Sequence, residues 1–285
     1  IELLFQMSLL NSRLHFGYLR LIINADISFV VYPRFLCHGK LFRNVPMTEY
    51  HKKIFRSINM IFPIKAVIFD ADGVLLDSLS IWRELGKRYI TDLGYQPVAE
   101  MDEILFPMSM EQGADWLKNR FTLAYSEEKI VMDLKSRIRK YYFEEVPAKS
   151  GARELFQYLA SQKIPAVVAT SSPKEHIRRA LKRNGLLPFL KEIYTTSEIG
   201  ESKHSPRVYL TAAEALGTKP SRTLVVEDSL YALQTAGNAG FLTAGIYDAL
   251  GEPDQEQLKK DAYIYCRDLT ELQNYIFTEN GGNQR

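Results

Sequence analysis

The chain has 285 residues, of which 46% are hydrophobic and 25% are charged, and its net charge is +2 at pH 7. These values are typical of a globular protein and give no electrostatic basis for binding nucleic acid or a membrane. No run of about eighteen uncharged apolar residues occurs, so no membrane span is predicted. Cys37 and Cys266 fit neither a metal motif nor a disulfide framework, so we expect a reducing, cytoplasmic location.

The first sixty residues differ in charge from the rest. They carry eight Lys or Arg and three Asp or Glu, or +5, whereas the remainder carries 28 against 31, or −3. They lack clean hydrophobic periodicity, and Arg13, Arg20 and Asp26 interrupt any apolar core of a secretory signal. We expect residues 1–59 to lie outside the main fold, either as upstream sequence or as an arm that binds a partner or a membrane surface.

A continuous apolar run ends abruptly at two carboxylates in residues 66–77 (AVIFDADGVLLD). Such a run predicts a strand buried on both faces, with Asp70 at its C-terminal end, where open α/β sheets bind ligands. A carboxylate can act as a nucleophile toward phosphorus, which is the predicted role of Asp70. Asp72 lies on the same side of an extended backbone, where it can donate and accept protons. Gly73 allows a tight turn that presents backbone N–H groups to a phosphate.

A helical segment is predicted between this motif and the next strand, over residues 79–149. Ser126, followed by two glutamates, is a good helix start. The predicted helices lie near 80–93, 110–120 and 126–145.

The second motif, residues 164–173 (IPAVVATSSP), is an apolar strand followed by hydroxyl residues. We predict Ser172 as the N-cap of a helix, with Pro173 at its first position. A phosphate near this point would meet the Thr170 hydroxyl and free backbone donors, including that of Ser171.

The third motif, residues 200–206 (GESKHSP), places Lys203 just before a predicted helix. An ammonium group here would offset the charge that develops on a phosphoryl group and on Asp70.

The fourth motif, residues 222–229 (RTLVVEDS), is a buried strand that ends in two adjacent acids, Glu227 and Asp228. Mg²⁺ prefers a few carboxylates together with water and substrate phosphate oxygens. The acidic pair is therefore a candidate metal site.

The remaining pattern alternates strands and helices, which predicts an α/β fold with a Rossmann-like parallel sheet and helices on both faces. Strands are predicted near 64–69, 164–170, 191–195, 222–226, 242–246 and 262–265. Helices outside the insert are predicted near 150–162, 173–184, 205–216, 229–239 and 267–277. The expected domains are a core of residues 60–78 and 150–278, an inserted helical cap of residues 79–149, and a flexible tail of residues 279–285.

The four motifs together resemble those of the haloacid dehalogenase superfamily, over about Lys65 to Leu272. The form with a second acid at Asp72 is similar to its phosphatases and phosphomutases and argues against its dehalogenases and phosphonatases. Three departures occur: His204 stands where proline is usual, Arg207 where aspartate is usual, and Ala232 where glycine is usual. The helical insert resembles the α-helical cap of one class of the superfamily.

This resemblance implies a Mg²⁺-dependent phosphomonoester hydrolase that acts on a small phosphorylated metabolite through an aspartyl-phosphate. The implied catalytic residues are Asp70, Asp72, Thr170 and Lys203. The implied phosphate-binding residues are Asp70, Ala71, Asp72, Thr170, Ser171 and Lys203. The implied metal ligands are Asp70, the backbone carbonyl of Asp72, Glu227 and Asp228. We expect a monomer or homodimer, with no nucleic-acid or membrane partner.

Two alternatives remain, a β-phosphoglucomutase-like sugar phosphomutase and a non-catalytic binding protein of the same fold. Members similar to β-phosphoglucomutase keep a His and an Arg where this chain has Trp82 and Met110. The second phosphate anchor of a mutase is thus missing from its usual place, which favours a phosphatase. Trp82 and Met110, with Phe106 and Met108, are candidates for a leaving-group pocket, or else for the core of the cap.

Overall fold

The computed structural model describes residues 64–279 and two short strands near the N-terminus. Those strands, Leu36–Cys37 and Lys40–Leu41, pair with each other in antiparallel orientation within a unit of their own. The predictions for the rest of residues 1–59 and for the tail beyond residue 279 lie outside the described residues. None of the helices in the described part of the chain is long and apolar enough to cross a membrane.

A six-stranded parallel sheet forms the centre of the fold, which confirms the predicted α/β class. Its strands are β1 (Ala66–Phe69), β2 (Ala166–Thr170), β3 (Leu190–Thr195), β4 (Thr223–Glu227), β5 (Leu242–Ile246) and β6 (Ile264–Cys266). Their order across the sheet is β3-β2-β1-β4-β5-β6. Every residue of the four central strands is buried, because helices cover both faces.

Eleven α-helices are described between residues 80 and 279, and they alternate with the strands after the first motif. They are α1 (Ser80–Asp92), α2 (Met101–Leu105), α3 (Met110–Phe121), α4 (Glu127–Lys140), α5 (Ala152–Ser161), α6 (Lys174–Arg183), α7 (Thr196–Ile199), α8 (Arg207–Ala215), α9 (Leu230–Asn238), α10 (Gln255–Asp261) and α11 (Leu269–Glu279).

The two faces of the sheet pack against different sets of helices. Val67 and Phe69 of β1 belong to one apolar cluster, whereas Ile68 belongs to another that includes Val208 and Tyr209 of α8. Successive side chains of a strand point to opposite faces, so one apolar run supplies both cores.

The strand register brings the functional motifs to one edge. Phe69 lies opposite Val226 of β4 and Val168 of β2 in the parallel ladders. The residues that follow these positions therefore emerge together at the carboxyl end of the sheet. This placement sets Asp70, Thr170 and Glu227 within one small region.

The insert between β1 and α5 contains α1 to α4 and a π-helical turn, Tyr141–Glu145, that directly continues α4. Buried residues recur every four positions along α4, at Ile130, Leu134 and Ile138, as expected for an amphipathic helix. The two linkers that join the insert to the core lie side by side, because Asp77 N–H donates to Pro147 O and Lys149 N–H donates to Leu75 O, at 3.0 and 2.9 Å.

The predicted elements are found with boundaries shifted by a few residues, but one local prediction is wrong. Ser172 is not the N-cap of α6: Pro173 occupies that position, and no side chain caps the helix. The Ser172 hydroxyl instead donates to Asp72 at 2.6 Å. The predicted helix over 126–145 is α-helical only to Lys140, and it does begin after Ser126, which accepts from Lys129 N–H.

Candidate active site

A buried lysine connects two of the predicted acids. Lys203 Nζ donates to Asp70 Oδ1 at 2.5 Å and to Glu227 Oε1 at 2.8 Å. Its side chain is only 4% exposed, in contrast to the solvated position usual for a loop lysine. Glu227 Oε1 also accepts from the Tyr209 hydroxyl, at 2.7 Å. The third and fourth motifs thus meet the first in one hydrogen-bonded group.

The electrostatics of this group favour bound positive charge. Burial raises the pKa of Asp70 well above its usual value, and the carboxylates of Glu227 and Asp228 add to this rise, against the attraction of Lys203. Burial, followed by the charge of Glu227, also raises the pKa of Asp228. Burial by itself would lower the pKa of Lys203, but Asp70 and Glu227 outweigh it and raise that pKa. One ammonium among three acids leaves a site that suits a divalent cation.

A possible ligand set for such a cation is present in the described residues. One carboxylate oxygen from each of Asp70, Glu227 and Asp228 lies within 4.8 Å of the others. Glu227 Oε2 is buried and has no hydrogen-bond partner, which is costly unless another ligand binds it. These acids fit a hard, oxygen-preferring ion such as Mg²⁺.

Two glycines leave room for the Asp228 carboxylate. A Cβ atom at Gly73 would lie 2.3 Å from Asp228 Oδ2, and one at Gly251 would lie 3.1 Å from the same oxygen. Gly73 also has a φ of +75°, a conformation that side chains of other residues rarely adopt. The first motif therefore needs glycine both for its turn and for the close approach of the metal-site acid.

The Asp72 carboxylate is held by three hydroxyl groups. Its Oδ1 accepts from Ser78 at 2.6 Å and from Tyr142 at 2.7 Å, and its Oδ2 accepts from Ser172 at 2.6 Å. Ser78 lies in the first linker, Tyr142 in the π-helical turn of the insert, and Ser172 in the loop after β2. Three separated segments thus determine the orientation of this acid.

Thr170 is buried at the end of β2. Its hydroxyl oxygen accepts from Ser172 N–H at 3.0 Å. Because a hydroxyl both accepts and donates, the Thr170 O–H remains available to a ligand oxygen. Ala71 is fully buried, and its carbonyl accepts from Leu75 and Leu76 N–H, which builds the turn after Asp70.

These residues surround a cavity of about 190 Å³. Its lining contains six of the predicted site residues, Asp70, Asp72, Thr170, Ser171, Lys203 and Asp228; the remaining residues are Leu79, Ser229 and Tyr231. The predicted convergence of all four motifs on one cavity is observed.

The four candidate pocket residues of the insert do not line this cavity. Met108 lines a separate cavity of about 560 Å³ on the insert, with Trp116 and Arg120 among its neighbours. Trp82 and Phe106 are exposed, and Met110 packs against the apolar core. Their role in binding a leaving group stays a prediction.

Several residues of the site were not found from the sequence. Ser78 and Tyr142 had no motif to mark them, and Tyr209 had only its place on the helix after Lys203. Tyr231 could have been suspected, because it follows the acidic pair at the start of α9. Asp248, whose carboxylate pairs with Lys149 at 2.5 Å, lies in the loop that carries Gly251.

Comparison with known proteins agrees with this geometry. Residues 64–240 match the model of the haloacid dehalogenase-like hydrolase family. A phosphorylated carbohydrates phosphatase of Thermotoga maritima is 25% identical over 177 residues, which cover 62% of this chain and 82% of that protein. The validoxylamine A 7'-phosphate phosphatase of Streptomyces hygroscopicus subsp. limoneus is 28% identical over 212 residues, which cover 73% of this chain and 95% of that protein.

Among solved structures, a Thermotoga maritima protein described as a candidate beta-phosphoglucomutase has a TM-score of 0.66 and 25% identity, and the match covers 75% of this chain and 99% of that chain. The family match spans more than half of the sequence and includes all four motifs that line the cavity. The chain belongs to the haloacid dehalogenase-like hydrolases.

Proposed function

We propose that the protein is a Mg²⁺-dependent phosphomonoester hydrolase that acts on a small phosphorylated metabolite through an aspartyl-phosphate. The observation that carries this proposal is the buried group in which Lys203 links Asp70 to Glu227, beside Asp228. A purely structural site would not gather three acids around one lysine beside a cavity, because burying them is costly.

In the first half-reaction, Asp70 attacks phosphorus. Lys203 holds Asp70 Oδ1, and Oδ2 accepts no hydrogen bond from the described residues, so Oδ2 is the free nucleophilic atom. The new bond joins Asp70 Oδ2 to phosphorus, and the bond from phosphorus to the leaving oxygen breaks. Asp72 gives its proton to that oxygen, which departs as an alcohol.

In the second half-reaction, a water molecule attacks the phosphorus of the aspartyl-phosphate. Asp72 takes the proton of the water, the bond to Asp70 breaks, and inorganic phosphate leaves. Both carboxyl groups are then as they were at the start. Thr170 and Lys203 donate to the phosphoryl oxygens during both steps, which holds the group in line for attack.

Asp70, Glu227 and Asp228, together with the backbone carbonyl of Asp72, would hold the magnesium ion. When bound, the ion supplies positive charge that stabilises the phosphoryl oxygens and the ionised form of Asp70. We also propose that residues 79–149 serve as a cap that excludes water from the cavity, with hinges at the two adjacent linkers. Cytoplasmic location and a monomeric or homodimeric state remain predictions.

A small phosphorylated metabolite is supported as the substrate because the two phosphatases compared above are named for phosphorylated carbohydrates and for validoxylamine A 7'-phosphate. A sugar phosphomutase is the second candidate, because a related structure is described as a candidate beta-phosphoglucomutase. Incubation with glucose 1-phosphate and a bisphosphate primer separates the two: a mutase releases glucose 6-phosphate, whereas a phosphatase releases glucose or nothing.

The proposal is tested by phosphatase assays on the full chain with Mg²⁺ or EDTA. We expect turnover of p-nitrophenyl phosphate that requires Mg²⁺ and falls below detection in Asp70→Asn. Asp92→Asn is the control, because Asp92 forms only an exposed pair with Arg137. Equal activity of Asp70→Asn and the unchanged protein would reject the mechanism.

A further inference from the structure

The Tyr142 ring is rigidly held within the fold. The residue is 1% exposed, and its ring stacks on His176 of α6 with the centroids 5.4 Å apart. The neighbouring Tyr141 ring meets it edge-on at 6.1 Å. The phenol of a tyrosine is protonated at neutral pH, so the Tyr142 hydroxyl donates to Asp72 Oδ1. A buried donor with few free rotamers orients the acceptor that it contacts.

The π-helical turn explains why an insert residue reaches a core carboxylate. Tyr142 is the second residue of the turn, and Val146 N–H donates to Tyr141 O across it. Such turns widen a helix locally and are frequent at functional sites. Here the turn lies between the last helix of the insert and the second linker, so the position of Tyr142 follows that of the insert.

The two oxygens of the Asp72 carboxylate accept different numbers of hydrogen bonds from the three hydroxyl groups. A carboxylate oxygen has about two acceptor sites. Ser78 and Tyr142 fill those of Oδ1, whereas Ser172 fills one on Oδ2. Oδ2 therefore keeps one site for another partner. The donor to Oδ2, Ser172, directly follows Thr170 and Ser171, which line the cavity together with Asp72.

We propose that Tyr142, together with Ser78, is a positioning residue that anchors Asp72 Oδ1 and thereby directs Oδ2 to exchange the proton with the leaving oxygen. This inference rests on the proposed function, because it assigns an atom to the acid–base role of Asp72. It also makes the insert part of the chemistry: the donor that orients the acid belongs to the insert, whereas the nucleophile belongs to the sheet.

The consequence is a dependence on the leaving group. A poor leaving group needs a proton as its bond to phosphorus breaks, whereas an acidic leaving group departs without one. Loss of the Tyr142 hydroxyl should therefore affect the first kind of substrate and largely spare the second. A loss of general packing would affect both kinds equally.

The test compares kcat/KM for phenyl phosphate and for p-nitrophenyl phosphate, which have similar shapes but leaving groups of different acidity. Tyr142→Phe keeps the buried ring and removes only the hydroxyl. We expect kcat/KM for phenyl phosphate to fall about 10- to 100-fold, because a misplaced acid loses part of the roughly 100- to 10,000-fold contribution of general acid catalysis, and that for p-nitrophenyl phosphate to fall less than about 3-fold. Thermal unfolding checks that the variant is folded, and Ser78→Ala, which removes the other donor to Oδ1, has to change the ratio in the same direction.

Tyr141→Phe is the matched control. Its hydroxyl lies in the same turn but bonds to Asp77 O at 3.1 Å and pairs with Ser80 Oγ at 3.2 Å. We expect the ratio of the two kcat/KM values to be unchanged in this variant. An equal fall for both substrates in Tyr142→Phe, or the same ratio change in Tyr141→Phe, would overturn the inference.

Asp72→Asn separates this inference from the proposed function. If it leaves the ratio unaltered, Asp72 is not the acid, and the proposed mechanism fails with the inference. If it changes the ratio and Tyr142→Phe does not, the mechanism stands and only the positioning role of Tyr142 is rejected.

Discussion

The carboxyl end of the sheet (the sheet edge) buries its charged residues, whereas the helical insert exposes most of them to solvent. At the sheet edge, Lys203, Asp70 and Glu227 are nearly inaccessible to solvent and bond directly to one another. In the insert, the ion pairs lie on the surface, as between Lys129 and Asp133, where the lysine side chain is 53% exposed. The insert is held together by its apolar residues, and its surface pairs contribute little.

The difference separates the two tasks of the fold. At the sheet edge the charges are buried despite the energetic cost, and the apolar strands on either side fix their positions. Charges that are held in place in this way are available for chemistry. The helices of the insert keep their own ion pairs in water and place no buried charge at the site. Its contribution to the site is limited to neutral groups, the Leu79 side chain and the Tyr142 hydroxyl.

The largest effect is expected when the buried charge network is broken. Lys203→Met keeps the length of the side chain but leaves Asp70 and Glu227 without their shared partner. Removing one member of a buried pair costs about 3–5 kcal/mol of unfolding free energy, and we expect kcat to fall by at least about 100-fold. Chemical denaturation at pH 7 without metal and the phosphatase assay measure the two effects.

The insert supplies the control for this change. Lys129→Met removes an exposed helix pair and should alter the unfolding free energy by no more than about 0.5 kcal/mol, with no change in kcat. Similar losses in the two variants would contradict the contrast between edge and insert.

A second pair of variants tests whether activity needs the space around the Asp228 carboxylate. Gly73→Ala places a methyl group against Asp228 Oδ2 in a backbone conformation unsuited to alanine. A displacement of about 1 Å at a reacting group can cost about 100-fold in rate, so we expect a loss of that order in kcat. Steady-state kinetics at saturating Mg²⁺ provide the measurement.

Gly94, in the insert, has the same backbone handedness, with a φ of +85°, but nothing lies within 4 Å of the Cβ position. Gly94→Ala should cost only the backbone strain, about 1–2 kcal/mol, and leave kcat and KM unchanged. If it reduces activity as much as Gly73→Ala does, the crowding at Asp228 is not the cause of the loss.

The smallest expected effect concerns the contact between His176 of the core and Tyr142 of the insert, and it depends on pH. His176 stacks on Tyr142, and its Nδ1 is buried without a partner. Burial lowers the pKa of His176, and Arg139 adds to this, against the charges of Glu175 and Asp72. The unfolded chain therefore binds a proton at higher pH than the folded chain does.

Stability from neutral His176 is thus complete above the unfolded pKa of about 6.5 and is lost as the pH falls from there toward the folded pKa. We expect the Tm of His176→Phe to fall less than that of the unchanged protein between pH 7.5 and pH 5.5. Parallel Tm curves for the two proteins would show that His176 does not titrate in this range.

The sequence alone was sufficient to predict the sheet and the convergence of the motifs. Fully apolar runs indicate strands buried on both faces, and the runs of the first, second and fourth motifs end in the polar residues that were assigned to the site. Because parallel strands end at the same edge, Asp70 and Thr170 could be expected to meet without any knowledge of their distance.

Local patterns were less reliable where a residue had two possible partners. Ser172 has the sequence of a helix cap, but its hydroxyl bonds to Asp72 because the end of β2 lies next to the first motif. Helix α2 was missed because it has only five residues, too few to show a period. Only the first of these differences arises because a contact between elements outweighs the local preference.

The order of the motifs and the chemistry of their residues were determined by the sequence, since burial and strand direction follow from the pattern of apolar residues. Only the tertiary structure decided that Lys203 is buried between Asp70 and Glu227, and that Tyr142, seventy positions from Asp72, is one of its three donors. Hydrogen bonds act over about 3 Å, and no periodicity along a chain specifies which side chains from different elements come that close.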